Sequence, residues 1–223
     1  MTSSFDTGMY ATQTRPLTGE KEFHYLQQDL EKGDILYHLG EPAEQVFCVE
    51  EGLLKQTILL ADGHERIIAL AGPGDYIGAL GLPVHYQDSA EALSPQVRVS
   101  CIDVRDLRSL DETLKDTLYL AAGKQLSYLR DALEDSELPV GARLARMFLR
   151  LGQRFGNISD DHVHITLPLT HENFASMVGA ARETTTAMLS EMRAEGVIHG
   201  TRGRYNFDHN ALSDYAVNAS YHY

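Results

Sequence analysis

One stretch, Leu169 to Asn206, restricts this chain more than any other: LTHENFASMVGAARETTTAMLSEMRAEGVIHGTRGRYN. Thr170 suits a helix N-cap, but Asn173 stands where a capping box prefers Glu or Gln, so half of that signal is present. Phe174, Met177 and Val178 fall on one face of a short helix, and Gly179 interrupts it where the chain must bend sharply. A second helix follows, with Thr185, Met188, Leu189 and Met192 at helical spacing facing inward. Its other face carries Arg182, Glu183, Thr186, Ala187 and Ser190. Gly196 predicts the end of that helix, Val197-Ile198 the start of a short strand, and Thr201-Arg202-Gly203-Arg204 a basic hairpin tip. Helix, turn, helix and basic hairpin describe a winged helix-turn-helix.

The outer face of the second helix has the chemistry of a DNA reader. Arg182, at its start, can donate two hydrogen bonds to guanine O6 and N7, and Glu183 can accept from a cytosine amine while holding the guanidinium fork. Thr186 lies on the same face as a third candidate for base contact. Thr184, Arg202 and Arg204, with His171 before the turn, suit phosphate contacts, which position a protein without reading sequence. An ordinary amphipathic helix pair would also show a charged outer face. What separates the two readings is that the Arg-Glu-Thr run falls one turn after a glycine-broken helix and just before a basic hairpin.

These residues carry a resemblance. VGAARETTTAMLSEMRAEGVI (Val178 to Ile198) resembles the DNA-binding helix of the CRP/FNR family of bacterial transcription regulators, and ARLARMFLRLGQRFG (Ala142 to Gly156) resembles the helix before it. GPGDYIGALGL (Gly72 to Leu82) is similar to the glycine-rich part of that family's sensor domain. The resemblance runs from roughly Leu26 to Asp208 with the motifs in order. It implies a homodimeric, sequence-specific regulator, not an enzyme, that binds double-stranded DNA at a palindromic operator and activates transcription by touching RNA polymerase. Many relatives carry a second Arg where this chain has Ala187, and often Ser where it has Ala181, so a looser readout is expected.

A net charge of −13 looks wrong for such a partner until it is divided along the chain. From Gly141 onward there are eight Arg, no Lys and eight acidic residues, so the deficit lies wholly in residues 1–140. A neutral domain with arginines on its reading helix and wing can still bind phosphate, while the acidic half disfavours loose coating of DNA. At 223 residues, 43% hydrophobic and 23% charged, the chain has room for two modest domains. No apolar run approaches the ~20 residues of a membrane span, and the polar N-terminus is no signal peptide, so a cytoplasmic protein is expected. Cys48 and Cys101 are expected to be free thiols, and two cysteines cannot hold an iron–sulfur cluster. No cofactor is expected.

The expected fold class is α+β. Residues 1–24 are small, polar and aperiodic and read as a flexible segment. Residues 25–106 make short apolar runs turned at Gly33, Gly52, Gly63 and Gly72-Pro73-Gly74, which suits a small antiparallel barrel or double sheet. The resemblance makes this a cyclic-nucleotide-binding-type β-roll (a double-stranded β-helix). Over 107–138 the period changes, with Leu114, Leu118, Ala122, Leu126, Leu129 and Leu133 recurring every three or four residues. So long a single-striped helix is best explained by pairing with its twin, although a helix lying on its own barrel would use a Leu stripe too. Residues 139–223 then form the winged helix-turn-helix domain.

The effector and metal readings depend on what is missing. In cAMP-binding relatives the segment resembling Gly78-Ala79-Leu80 has a central Glu for the ribose, and an Arg-Ser pair a few residues on grips the phosphate. Here those positions read Ala79 and Asp88-Ser89, and Tyr128-Leu129 stands where relatives reach the base. Loss of an acceptor and replacement of a cation by a carboxylate predict a regulator that works without cAMP. The alternative is a regulator of the same fold responding to cAMP or another small ligand. His162 and His164 share a strand face and, with His171 nearby, could be imagined as a metal site, while two half-exposed strand histidines are the bland reading. A third reading, a metal-dependent β-roll protein, would need His-x-His, a Glu and a further His from the roll itself, where residues 25–106 offer only scattered His38, His64 and His85.

Overall fold

Alternating apolar and polar residues carry the first half of the chain into two sheets. The computed structural model describes residues 10–15, 23–81, 83–110, 112–159 and 162–220. The first sheet holds β1 (Tyr10–Arg15), β2 (Phe23–Glu31), β9 (Gln96–Asp103), β4 (Gln45–Glu51) and β7 (Tyr76–Gly78), in that spatial order. The second holds β3 (Ile35–Tyr37), β8 (Ser89–Ala92), β5 (Leu54–Leu59) and β6 (Glu65–Ala71). Inward-facing Leu30, Val46, Val49, Leu54, Ile77, Val97 and Val99 form a common core, with Tyr37 stacked on Tyr86 at 4.2 Å between ring centroids. Gly33, Gly52, Gly63 and Gly74 all take positive φ at the expected corners. Cys48 and Cys101 are free thiols, and burial pushes the Cys101 thiol up to about 12.

The N-terminal segment departs from expectation. Residues 1–9 and 16–22 of it lie outside the described residues, but Tyr10–Arg15 is strand β1, paired antiparallel with β2 from Tyr10↔Gln28 to Arg15↔Phe23. Its YATQTR sequence places Tyr10, Thr12 and Thr14, good strand formers, at alternate positions. Residues 10–15 and 23–24 of the segment expected to be flexible thus lie in strands.

Beyond β9 the chain makes a 3-10 turn, Val104–Ser109, and then α1 (Glu112–Ser136). The helix thus starts later than the expected 107. The two readings of its leucine stripe divide along its length. Leu114 is buried in the roll core and Leu118 packs against it, so these two, expected at a pairing face, serve the roll. Leu126, Leu129 and Leu133 are exposed in the single chain, as is Tyr119, which the leucine pattern did not include.

The chain divides into two compact units, and the division falls within α1 after Ser127. In the second unit, α2 (Val140–Phe155) buries Leu144, Met147, Phe148 and Leu151. A four-stranded sheet is ordered β10 (Asn157–Ser159), β11 (His162–Thr166), β13 (Arg204–Asp208), β12 (His199–Thr201). Between its strands come α3 (His171–Val178) and α4 (Arg182–Ala194). Phe148, Phe174, Tyr205 and Phe207 meet in an aromatic cluster with centroid spacings of 5.1 to 6.2 Å, which ties α2, α3 and the sheet together. Asp135, in the last turn of α1, is buried between Arg146 and Arg150 and fastens that turn to α2.

A final helix, α5 (His209–Ser220), was not foreseen. Asp208 caps it by accepting from the Ala211 amide at 2.8 Å, and Leu212 and Ala216, one turn apart, are its buried residues.

Candidate nucleic-acid interface

The geometry of the α3–α4 turn is fixed by bonds at both ends of α3. Thr170 accepts from the Asn173 amide, and the Asn173 carboxamide oxygen accepts in return from the Thr170 amide at 2.9 Å. The capping box is therefore complete, with Asn taking the part the sequence rule reserves for Glu or Gln. At the other end Gly179 takes φ 63°, ψ 50°, a left-handed conformation that any other L-residue would hold under strain. Arg143 of α2 donates to the carbonyls of Val178 at 2.6 Å and Gly179 at 3.1 Å. A cation there satisfies the orphan carbonyls and complements the helix dipole. Nothing local in the sequence marks Arg143 for this role, because its target is 35 residues away.

α4 is held from behind so that its outer face is set. Thr185, Leu189 and Met192 are its buried residues, and Met188 is half-buried. The helix closes with bonds from Gly196 N–H to the Arg193 carbonyl and from Val197 N–H to the Met192 carbonyl, the Schellman pattern. Arg193 then donates to the Gly200 carbonyl at 2.9 Å and lies over the Tyr205 ring, fixing the wing to the end of α4. The strand that follows begins at His199, not at Val197.

On the outward side Arg182, Glu183, Thr184, Ala187 and Ser190 are exposed and Thr186 is half-buried. Arg182 pairs with Glu172 of α3 at 3.8 Å; among the described residues no ion pair joins it to Glu183. Both partners of that pair are about two-thirds exposed, so it holds the guanidinium weakly. The N-cap of α4, Ala181, offers no side-chain oxygen, which leaves the first amides of the helix to solvent or to phosphate.

His171 faces α4. Its Nδ1 lies 3.0 Å from Thr186 Oγ1, so its ring joins the start of α3 to α4. Burial pushes its pKa below the ordinary imidazole value, and the charges of Arg193 and Arg182 push the same way.

The wing matches the expected tip. Thr201 pairs with Arg204, and the two residues between them, Arg202 and Gly203, both have positive φ, which is the two-residue hairpin turn. A side chain at Gly203 would collide with the Leu167 carbonyl. Arg202 and Arg204 are exposed at this tip. His162 and His164 are exposed on β11, and among the described residues no three His, Cys, Asp or Glu side chains are placed to hold a metal ion.

The positions expected to serve an effector have contacts within the protein. Ala79 is fully buried, Gly78 takes positive φ beside Phe47, and Leu80 packs on the core. Asp88 is buried immediately before β8, where its carboxylate accepts from Gln56 Nε2 at 2.6 Å and faces the buried Tyr37 hydroxyl. Burial raises the Asp88 pKa, and burial together with Asp88 raises that of Tyr37 well above the usual phenol. Ser89 accepts from the Leu39 amide. Tyr128 lies under the guanidinium of Arg154 from α2, 4.9 Å from its ring centroid.

Fold and site together define a transcription regulator with a DNA-binding helix-turn-helix and a cyclic-nucleotide-binding-type roll. A model of the cyclic nucleotide-binding domain matches residues 27–113, and one of the Crp-like helix-turn-helix domain matches residues 142–215. With both present in that order over most of its length, the chain belongs to the CRP/FNR family. It is 29% identical over 178 residues to a CRP-like cAMP-activated global transcriptional regulator of Mycobacterium tuberculosis, covering 76% of this chain and 78% of the relative. It is 26% identical over 200 residues to electron transport regulator A of Shewanella oneidensis, covering 86% and 79%. In fold it is similar to FixK2 from Bradyrhizobium japonicum, with a TM-score of 0.74 at 22% identity over 85% of this chain and 96% of that one. Among the described residues no helix is long and apolar enough to cross a membrane.

Proposed function

We propose that the protein works in the cytoplasm as a homodimer on a palindromic operator, setting one α4 into the major groove of each half-site. The observation that carries this reading is the outward face of α4. Arg182, Glu183 and Thr184 are exposed there, while the back of the helix is buried and its C-terminal end is bonded to the wing. Arg202 and Arg204 on the wing supply phosphate contacts, with Thr184 beside the N-terminus of the reading helix. Pairing rests on α1, where Tyr119, Ala122, Leu126, Leu129 and Leu133 follow the heptad spacing of a two-helix seam. Activation by contact with RNA polymerase is the mode the family suggests. Selecting bound duplexes from a random pool and sequencing them tests the whole reading: a palindromic site should emerge, and enrichment of no site would overturn it.

The protein acts without cAMP. The relative from Mycobacterium tuberculosis is named as cAMP-activated, so the two readings part at the roll. Here Asp88 accepts from Gln56 beside the buried Tyr37 ring inside the roll, at the position where the resemblance puts the phosphate grip. An ionised Asp88 within ~4 Å of a phosphate would oppose it by about 4 kcal/mol at an effective dielectric near 20, and a protonated one supplies no cation. Calorimetry with cAMP should therefore show no binding, and purified protein should hold its selected operator without additive. Micromolar cAMP binding, or a gain of about tenfold in DNA affinity on adding it, would restore the effector-dependent reading.

A further inference from the structure

We propose that Thr186 reads a thymine through its methyl group, and that His171 is the positioning residue that turns the methyl to that task. The inference rests on the DNA-reading role of α4 and specifies what the middle of that helix recognises.

A threonine Cβ carries one hydroxyl and one methyl, and in Thr186 the hydroxyl is 3.0 Å from His171 Nδ1. His171 holds this bond from the first turn of α3, whose own position is set by the capping box at Thr170 and by Arg143 at its far end. The ring is partly buried between the charges of Arg193 and Arg182, both of which disfavour a protonated imidazole. As the neutral form it bonds the Thr186 hydroxyl in either tautomer. One turn on, Ser190 donates its hydroxyl to the Thr186 carbonyl at 3.0 Å, so that group too is turned back to its own helix. Ala187, exposed between them, adds a second methyl and no polar atom.

Past Arg182, Glu183 and Thr184 the face carries two methyl-bearing side chains, half-buried Thr186 and exposed Ala187, with the hydroxyls of Thr186 and Ser190 already bonded. Of the four bases only thymine presents a methyl in the major groove, and apolar contact is how a threonine or alanine methyl recognises it. A polar base edge would have to share the Thr186 hydroxyl with His171, whereas a thymine methyl meets no such competition at the Thr186 methyl. The half-site therefore combines a charged contact near the start of α4 with a methyl-to-methyl contact at its middle.

The test replaces each thymine of one half-site of the selected operator in turn by deoxyuridine, which removes the methyl and keeps every hydrogen-bonding group. Wild-type protein should lose about fourfold in affinity at one or two of these thymines, the effect of one buried carbon. Thr186→Ser keeps the hydroxyl and lacks the methyl, so it should bind the thymine and deoxyuridine duplexes equally at one of those positions. Thr186→Val keeps a methyl without the hydroxyl and should retain the penalty. His171→Phe should broaden the base selected there and leave the base read by Arg182 unchanged. If no deoxyuridine weakens binding to a site that the protein does select, or if Thr186→Ser shows the full penalty, the methyl assignment is wrong and the DNA-reading role stands. If no site is selected at all, both fall together.

Discussion

Replacing Arg182 by Ala should erase the preference for the operator while leaving fold, dimer and weak general DNA affinity in place, and Glu183→Ala should do the same. A well-placed base contact is worth ~1–3 kcal/mol of discrimination, roughly a factor of 5 to 150 per half-site. In a symmetric dimer that loss is taken twice. The fold should be indifferent, because both side chains are exposed and the Arg182–Glu172 pair is a solvated one of little weight. General affinity should persist because Arg202 and Arg204 on the wing are untouched. The check is to repeat the selection from a random pool with each variant and compare the enriched motif and the salt dependence of binding. Recovery of the same site at the same strength by both variants would remove these residues from base reading.

Much of this interface was legible in the chain because its signals are local. The glycine turn at Gly179, the inward Thr185, Leu189 and Met192, the Schellman end at Gly196 and the two-residue tip at Arg202-Gly203 each depend on neighbours within a few positions. Asn173 shows where a local rule was too narrow, since its carboxamide oxygen accepts from the Thr170 amide as a Glu carboxylate would. The missed α5 had a readable start at Asp208 and a readable stripe in Leu212 and Ala216, although its polar composition hides both. What was not legible depends on distant partners. Arg143 capping α3, His171 bonding Thr186, and Gln56 answering Asp88 across 32 residues have no local pattern to announce them. Nor does periodicity separate the two uses of the α1 stripe, because a roll and a second helix both ask for leucine every three or four residues.

That division of α1 is what makes the strongest prediction possible. Leu114 is 6% exposed and belongs to the roll core, whereas Leu126 and Leu133 are 69% and 71% exposed and Tyr119 is 79% exposed. Leu126→Glu should therefore leave each chain folded and abolish the dimer. In a parallel two-helix seam the position faces its own copy, so the substitution removes two leucine contacts and sets two carboxylates against each other. At about 1.5–3 kcal/mol for each buried leucine, association should weaken roughly 10²- to 10⁴-fold before repulsion is added. Operator affinity should fall with it, since two linked reading helices gain ~10²–10⁴ over one from effective concentration alone. Sedimentation should show a monomer with an unchanged helical spectrum, and the selected duplex should no longer shift at concentrations that saturate wild type. Leu114→Glu is the control in the other direction, because a carboxylate in the roll core should lower the melting temperature of the chain itself. A Leu126→Glu protein that remains dimeric would place the pairing surface elsewhere than on α1.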